Sequence, residues 1–331
     1  MRRFLVALFI ISILSCSRNE KDNVVVVYVS EDRVFSEPIL KDFERKTGIK
    51  VKAIYDTEEA KSTGIMNRLI AEKEHPRADV YWANEPIRAE VLKQKGIAQP
   101  YISPNAEGIS EKFRDPEGYW TGFSARARVL IVRKDVKEKP SSIMDFINPR
   151  WKGRAVIANP LFGTTTVHMA VLFTIWGDEK GREFLEKLKE NGVAISSSNG
   201  ESADMVSSGK FDFSLVDNDD VVSRMRRGEP VEMVFPDQNG MGTLLLPNAV
   251  VLIKGAPHPE NGKKLIDYLL SPETERKLAF ADCAQIPLHS GVEMPPELKD
   301  ISEIKTMDVD YSAVARKLQE IQPILKEWVG Y

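Results

Sequence analysis

The sequence has few of the residues on which covalent cross-links and catalysis usually depend. Its 331 residues include two cysteines, Cys16 and Cys283, and four histidines. Cys16 falls in a leader segment, so no cysteine pair remains for a disulfide and we expect packing to stabilise the fold. The chain has no Cys-x-x-Cys pair, no Gly-x-Ser-x-Gly turn, no His-Glu-x-x-His helix and no Walker A loop. The residues therefore do not indicate an enzyme.

An excess of positive charge is also lacking. The formal net charge is −3 at pH 7, and removal of Arg2 and Arg3 with a leader would bring it to about −5. This balance argues against nucleic acid as a partner and leaves no broad basic patch for a membrane surface. The chain also has no internal repeat and no low-complexity tract.

The N-terminus has the pattern of an export signal. Arg2 and Arg3 precede the apolar run from Phe4 to Leu14, which is too short to span a bilayer comfortably. The ending Leu-Ser-Cys at Cys16 resembles a lipoprotein cleavage box, so we expect 1–16 to be a signal peptide, Cys16 to be lipidated and 17–23 to be a tether. An ordinary secretory signal cut nearby is the alternative. Both interpretations place the mature protein in the periplasm or outside the cell.

Two similar stretches organise the mature chain. Residues 121–135 and 240–255 each combine a polar or Gly-rich start, an apolar extended run and a basic end, and they flank a region that has the pattern of a complete α/β unit. We interpret them as crossings between two lobes. The predicted fold class is α/β with two lobes joined by two crossing strands. Lobe 1 takes 24–123 and 253–331, the crossings take 124–135 and 240–252, and lobe 2 takes 136–239.

Polar side chains follow most of the predicted strands. In open α/β sheets the carboxyl ends of the strands line the ligand crevice, so we expect these residues to face one interlobe cleft. Three consecutive threonines after Gly163 favour an anion site at a helix start, although helix capping is an equal alternative. The predicted ligand-binding residues are Ser30, Glu31, Thr57, Asn84, Glu85, Arg126, Thr164, Thr165, Thr166, Ser198, Asn199, Asp217 and Asn218.

Several motifs together resemble a known family. They are A-D-V-Y-W-A-N-E-P at 78–86, S-A-R-A-R-V-L-I-V at 124–132, W-K-G-R at 151–154 and L-L-L-P-N-A-V-V-L-I-K-G-A-P-H-P at 244–259. With the signal peptide, they resemble bacterial extracellular solute-binding proteins of the ferric-iron type. The resemblance implies a type II periplasmic-binding fold, a monomer that closes on a small ligand, and delivery to the permease and ATPase of an ABC importer.

The resemblance also implies roles for single residues. Glu85 matches the family's iron-ligating glutamate, Tyr28 to Glu31 match the first-strand position of a histidine ligand, and Arg126 matches an arginine near the synergistic anion. Asp219 and Asp220 stand where iron binders have a tyrosine pair. With Glu85 they form the predicted metal ligands, because Fe(III) favours hard oxygen donors.

The ligand itself is left open. Ferric iron, as a transported ligand and not a cofactor, is our first expectation. A phosphonate, a sugar phosphate or thiamine is the alternative, since relatives of this family resemble binders of such compounds and Arg126 with the threonine helix start suits an anionic group. Two hypotheses come from other classes. One is a secreted metal-dependent phosphoesterase that uses the acidic run from Asp217 to Asp220, and the other is a lipoprotein that senses a ligand and signals to a membrane partner.

Overall fold

The computed structural model describes residues 23–56 and 63–330. The predicted signal peptide, the lipidation site Cys16 and the predicted ligand-binding residue Thr57 lie outside these ranges. Within the described part of the chain, no helix has the length and apolar character needed to cross a membrane.

The first half of the chain forms a parallel sheet with helices between its strands. Strand β1 (Val24–Val29) pairs in parallel with β2 (Lys50–Tyr55) and β3 (Val80–Ala83). Nearly every residue of β1 is buried, as its valine-rich sequence predicts for a strand covered on both faces. The connecting elements are α1 (Arg33–Thr47), α2 (Thr63–Ala71), α3 (Pro86–Gln94) and the short β4 (Ala98–Gln99).

The second half repeats this parallel arrangement. Strand β6 (Ala155–Ala158) pairs in parallel with β7 (Ala194–Ser196) and β8 (Phe213–Asp217). The carboxyl ends of these strands lead into helices, so the polar residues that begin those helices lie at one edge of the sheet. The remaining elements are α4 (Gly163–Trp176), α5 (Asp178–Glu190), α6 (Asn199–Ser207), α7 (Asn218–Arg226) and β9 (Val231–Val234).

The strand β5 (Thr121–Arg133) joins the two halves, as its long extended pattern predicts. Its first part, through Ala127, pairs antiparallel with β10 (Leu245–Ile253), and its second part, from Arg128, pairs with β8 and β9. Strand β10 pairs in turn with β3 and β4. The described strands therefore form one continuous sheet with the order β2-β1-β3-β10-β5-β8-β6-β7, and β4 and β9 pair with β10 and β5 beside this path.

Four helices follow β10 in the described part of the chain. They are α8 (Pro259–Leu269), α9 (Pro272–Phe280), α10 (Tyr311–Glu320) and α11 (Gln322–Val329). The last two are separate helices because Pro323 fits a first helical turn and not a helix interior. Helix α10 packs against both α3 and α4. The exact lobe boundaries stay a prediction.

Candidate functional site

Arg128 is the centre of a hydrogen-bonded group at the carboxyl ends of β6 and β8. Its side chain is completely buried, and Nη1 donates to Asp217 Oδ1 at 2.9 Å and to Thr164 Oγ1 at 3.0 Å. Nη2 donates to Thr165 Oγ1 at 3.2 Å. Asn199 Nδ2 donates to Thr164 Oγ1 at 2.9 Å, and that hydroxyl donates to Asp217 Oδ2 at 2.9 Å. The four predicted residues therefore meet, but their polar atoms are engaged with Arg128 and with one another.

Arg126 lies on the same face of β5, because residues two apart on a strand share a face. It is half-buried, and its Nη2 donates to the backbone carbonyl of Asn84 at 2.8 Å. Burial lowers the pKa of Arg126, but the nearby carboxylates of Glu31, Asp217 and Asp219 outweigh burial and raise it overall. This guanidinium is thus a fixed positive charge between acidic groups from both halves of the chain.

Glu31 contributes a buried carboxylate from the first half. Only 6% of the residue is exposed. Its Oε1 accepts from Gln285 Nε2 at 3.3 Å, whereas its buried Oε2 has no hydrogen-bond partner among the described residues. Burial raises the pKa of Glu31 to about 7, against the opposing effect of Arg126, and Asp219 adds to the rise. One oxygen of this carboxylate is therefore free for a ligand.

The second half contributes an acidic group at the start of α7. Carboxylate oxygens of Asp217, Asp219 and Asp220 lie within 4.8 Å of one another. Burial, followed by repulsion from the neighbouring carboxylates, raises the pKa of Asp219 and Asp220. Asp219 Oδ1 is buried without a hydrogen-bond partner among the described residues. Asp217 is paired with Arg128, and Asp220 Oδ1 lies 3.6 Å from Arg224 Nη1, so Asp219 is the acid of this group with an oxygen free for a cation.

Glu85 serves as the N-cap of α3. Its Oε2 accepts from the backbone N–H of Ile87 at 2.7 Å, and its Oε1 lies 3.3 Å from Arg88 Nε. Burial raises the pKa of Glu85 although Arg88 and the backbone N–H groups oppose this. Both carboxylate oxygens therefore have partners within the first half. Its predicted role as a metal ligand stays a prediction and would require it to exchange one of them.

The remaining predicted residues in the described ranges differ in their hydrogen-bond partners. Ser30 Oγ donates to Asp56 Oδ2 at 2.8 Å. Ser198 caps α6 by accepting from the backbone N–H of Glu201 at 3.1 Å. Thr166 is buried, and its Oγ1 has no partner among the described residues. Asn218 ties α7 to two other segments, since its Oδ1 accepts from the N–H of Ala127 at 2.8 Å and its Nδ2 donates to a backbone carbonyl after α9.

Sequence reasoning missed three residues of this site. Arg128 was interpreted as part of a strand, although an arginine before a β-branched buried run is itself a signal, because a fully buried arginine needs partners. Gln285 lies in a segment without a recognisable motif, and Asn248 lies within the motif at 244–259, where nothing marks it as a site residue. Their contacts join residues far apart in sequence, and no local pattern indicates them.

The fold and the site define a class of protein. Two α/β halves share one long crossing strand, and buried polar groups from both halves converge beside it, as expected of a receptor that encloses a small ligand. The family model described as bacterial extracellular solute-binding protein matches residues 86–313, which is more than half of the chain. The chain belongs to this family.

Relatives with known names agree with this assignment. The chain is 28% identical over 299 residues to iron uptake protein A1 of Synechocystis, covering 86% of this chain and 81% of the relative. It is 24% identical over 332 residues to a putative 2-aminoethylphosphonate-binding periplasmic protein of Salmonella typhimurium, covering 97% and 92%. A Trichodesmium protein solved in complex with iron and citrate superposes with a TM-score of 0.81 at 25% identity, covering 93% of this chain and 99% of that chain.

Membership of the family confirms the predicted type II periplasmic-binding fold and the role of an ABC-importer substrate-binding protein. The chain is a solute-binding transport protein and not an enzyme, so the hypothesis of a secreted phosphoesterase is wrong. Family members bind a small solute outside the cytoplasm and deliver it to a permease. The site residues of this chain stay predictions.

Proposed function

We propose that this protein captures a hard multivalent cation, ferric iron foremost, between its two halves and delivers it to a membrane permease. One observation carries the proposal. Each half presents a buried carboxylate oxygen without a hydrogen-bond partner among the described residues, Glu31 Oε2 from the first half and Asp219 Oδ1 from the second. A buried carboxylate oxygen that lacks a donor is costly unless a ligand satisfies it. Hard cations prefer such oxygen donors.

The electrostatics support a cation over a neutral solute. Glu31, Asp219 and Asp220 all have pKa values above their ordinary range, with burial as the largest cause. A bound cation lowers the pKa of such carboxylates and offsets the cost of burying their negative charge. We therefore expect Glu31, Asp219 and Asp220 to bind the cation, with Glu85 joining if it leaves its helix cap. The set is made of carboxylates and lacks the phenolate pair of typical iron binders.

Arg126 gives the site a place for an anion that accompanies the metal. Its guanidinium lies among the acids, and a planar guanidinium pairs well with carboxylates. A similar protein has been solved with both iron and citrate. We expect a small carboxylate, such as citrate, to bind Arg126 and to complete the coordination of the metal, which offsets the repulsion between the arginine and the cation.

Calorimetric titration of metal-stripped protein tests the proposal. Fe(III)-citrate should bind and citrate alone should not bind measurably. Asp219→Asn and Asp220→Asn should each weaken binding of Fe(III)-citrate by tenfold or more, by analogy with the loss of a metal's oxygen ligand. Asp282→Asn is the matched control, because its side chain is 94% exposed. Equal affinity in all of these proteins would contradict the assigned site, and an absence of iron binding by the wild type would contradict the ligand.

A zwitterion is the second candidate, since Arg126 lies beside carboxylates that lack partners. An aminoalkylphosphonate would place its ammonium on Glu31 and Asp219 and its phosphonate on Arg126. A relative of this chain is named for such a compound. Thermal unfolding with 2-aminoethylphosphonate and with Fe(III)-citrate distinguishes the two candidates, because a ligand at a hundredfold excess over its dissociation constant stabilises by about 2.7 kcal/mol. A shift with the phosphonate alone, lost in Arg126→Gln, would replace iron as the ligand.

We also propose that the mature protein is a monomer tethered to the membrane through a lipid on Cys16. The basis is the cleavage box at the end of the apolar leader segment. Wild-type protein should fractionate with membranes and Cys16→Ser should become soluble after export. Membrane association that survives Cys16→Ser would rule out the lipid tether.

A further inference from the structure

A chain of buried amide side chains leads from the central sheet to Glu31. Trp82 Nε1 donates to Asn248 Oδ1 at 3.0 Å, and Asn248 Nδ2 donates to Gln285 Oε1 at 2.8 Å. Gln285 Nε2 then donates to Glu31 Oε1 at 3.3 Å. All four residues are buried, with Trp82 and Gln285 fully inaccessible. The chain thus ends on a carboxylate of the candidate site.

The chemistry of the first member sets the direction of the whole chain. An indole N–H only donates, so the atom of Asn248 that faces Trp82 must be its oxygen. The amide nitrogen of Asn248 then points the other way, donating to the carbonyl of Ser124 at 2.7 Å as well as to Gln285. Gln285 must accept from it with its oxygen, which turns its own nitrogen toward Glu31. Glu31 therefore always receives a donor on Oε1, and Oε2 is left without one.

Ala284, the residue before Gln285, contacts the start of α7 in the second half. The carbonyl of Ala284 accepts from Asn218 Nδ2 at 2.6 Å, and Asn218 directly precedes Asp219. Consecutive residues of one loop therefore fix the first-half carboxylate through Gln285 and the start of α7 through Ala284. The loop that contains Ala284 and Gln285 therefore contacts both segments that carry a buried carboxylate oxygen without a partner.

We infer that Gln285 is a positioning residue that holds Glu31 with one oxygen filled and the other directed at the ligand. The inference rests on the proposed function, in which Glu31 binds a cation. The charged groups that act on Glu31 are Arg126 from β5, Asp32 from its own segment and Asp219 from α7. The backbone N–H of Asp32 also acts on this carboxylate, and Gln285 Nε2 is the buried side-chain donor that holds Oε1.

The test replaces Gln285 with methionine, which is unbranched, fills a similar volume and cannot donate a hydrogen bond. Partners of metal ligands typically contribute 10–100-fold to affinity, and we expect Gln285→Met to lose about this factor for Fe(III)-citrate. Gln319→Met is the matched control, because Gln319 is exposed. In the Glu31→Gln background, Gln285→Met should cause no further loss. Full additivity of the two substitutions would overturn the inference.

Two further measurements separate positioning from mere packing. Eu(III), a hard trivalent probe, reports its bound water ligands through luminescence lifetimes in H₂O and D₂O, and Gln285→Met should gain a water ligand over wild type. An unchanged water count would overturn the inference. Crystal structures of metal-free wild type and Gln285→Met need no cation at all. The Glu31 carboxylate should rotate in the variant, and an unmoved carboxylate would overturn the inference. This comparison remains decisive even if wild type binds neither Fe(III) nor Eu(III) and the proposed function fails.

Discussion

Glu31→Gln should make the metal-free protein more stable at pH 8 while it weakens cation binding. Burial is the main reason that the pKa of Glu31 rises from 4.5 to about 7. Since the folded state then binds more protons than the unfolded state between these values, stability falls as pH rises through this window. The stabilising effect of the bound proton is fully present below pH 4.5 and is lost above pH 7. A rise of this size corresponds to about 3 kcal/mol at most.

The side-chain amide introduced by Glu31→Gln would avoid this cost because it carries no charge. It would still accept from Gln285 through its oxygen, so the buried chain of amides stays intact. At pH 8 the free energy of unfolding of Glu31→Gln should therefore exceed that of wild type by about 1–3 kcal/mol, and at pH 4.5 the two should be nearly equal. A stabilising substitution that costs function is typical of a binding site.

Urea unfolding of metal-stripped protein at both pH values measures this difference, with the midpoint and slope fitted separately. Glu186→Gln is the matched control, since Glu186 is exposed on α5 and should change stability little at either pH. The reasoning that burial destabilises the ionised Glu31 carboxylate would be refuted by a variant that is less stable than wild type at pH 8. It would also be refuted if the difference in free energy of unfolding were the same at both pH values.

Three more predictions concern the site and its surroundings. Binding of Fe(III)-citrate should release protons, and the affinity should fall from pH 8 to pH 5.5, because Asp219 and Asp220 have raised pKa values. Calorimetric titration in buffers of different ionisation enthalpy measures the proton release, and a pH-independent affinity would contradict the prediction. Arg128→Leu should lower the free energy of unfolding, measured in urea, by about 3–5 kcal/mol, because Asp217 is left as an uncompensated buried charge. The double variant Arg128→Leu with Asp217→Leu should recover part of the loss. An unchanged stability of Arg128→Leu alone would contradict this prediction. His289→Gln should destabilise the protein more at pH 6 than at pH 9, because the Glu275 carboxylate raises the pKa of His289 and the stabilising proton is lost above that pKa. Urea unfolding at the two pH values measures the difference, and an equal loss of stability at both would contradict the prediction.

Much of the fold could be predicted because local patterns determine it. The valine run of β1 and the long extended run of β5 are buried on both faces, and Gly48 ends α1 in the left-handed conformation with φ of 70°. These features depend on residues that are neighbours in sequence. The break between α10 and α11 is equally local, because Pro323 lies in the first turn of α11 and does not fit a helix interior.

The site was predicted less well for a physical reason. Strand-end positions predict which polar residues come together, and the structure does bring Thr164, Asn199 and Asp217 together. Which of their atoms are free depends on partners that are distant in sequence. Thr164 and Asp217 are separated by 53 positions, and both are occupied by Arg128. The threonine helix start that suggested an anion is therefore largely satisfied from within the protein.

Which carboxylate oxygens of the site lack a hydrogen-bond donor depends on contacts between residues that are even farther apart in sequence. Glu31 and Gln285 are 254 residues apart, and only the fold shows that one oxygen of Glu31 is filled while the other is not. The same holds for Asp219, whose neighbour Asn218 is fixed by Ala284, 66 positions away. Composition can place acidic residues at strand ends, but a binding site is defined by the lone pairs that remain after the fold has satisfied the others. In the candidate site that remainder supports the proposed cation, because Glu31 Oε2 and Asp219 Oδ1, one from each half, have no donor among the described residues.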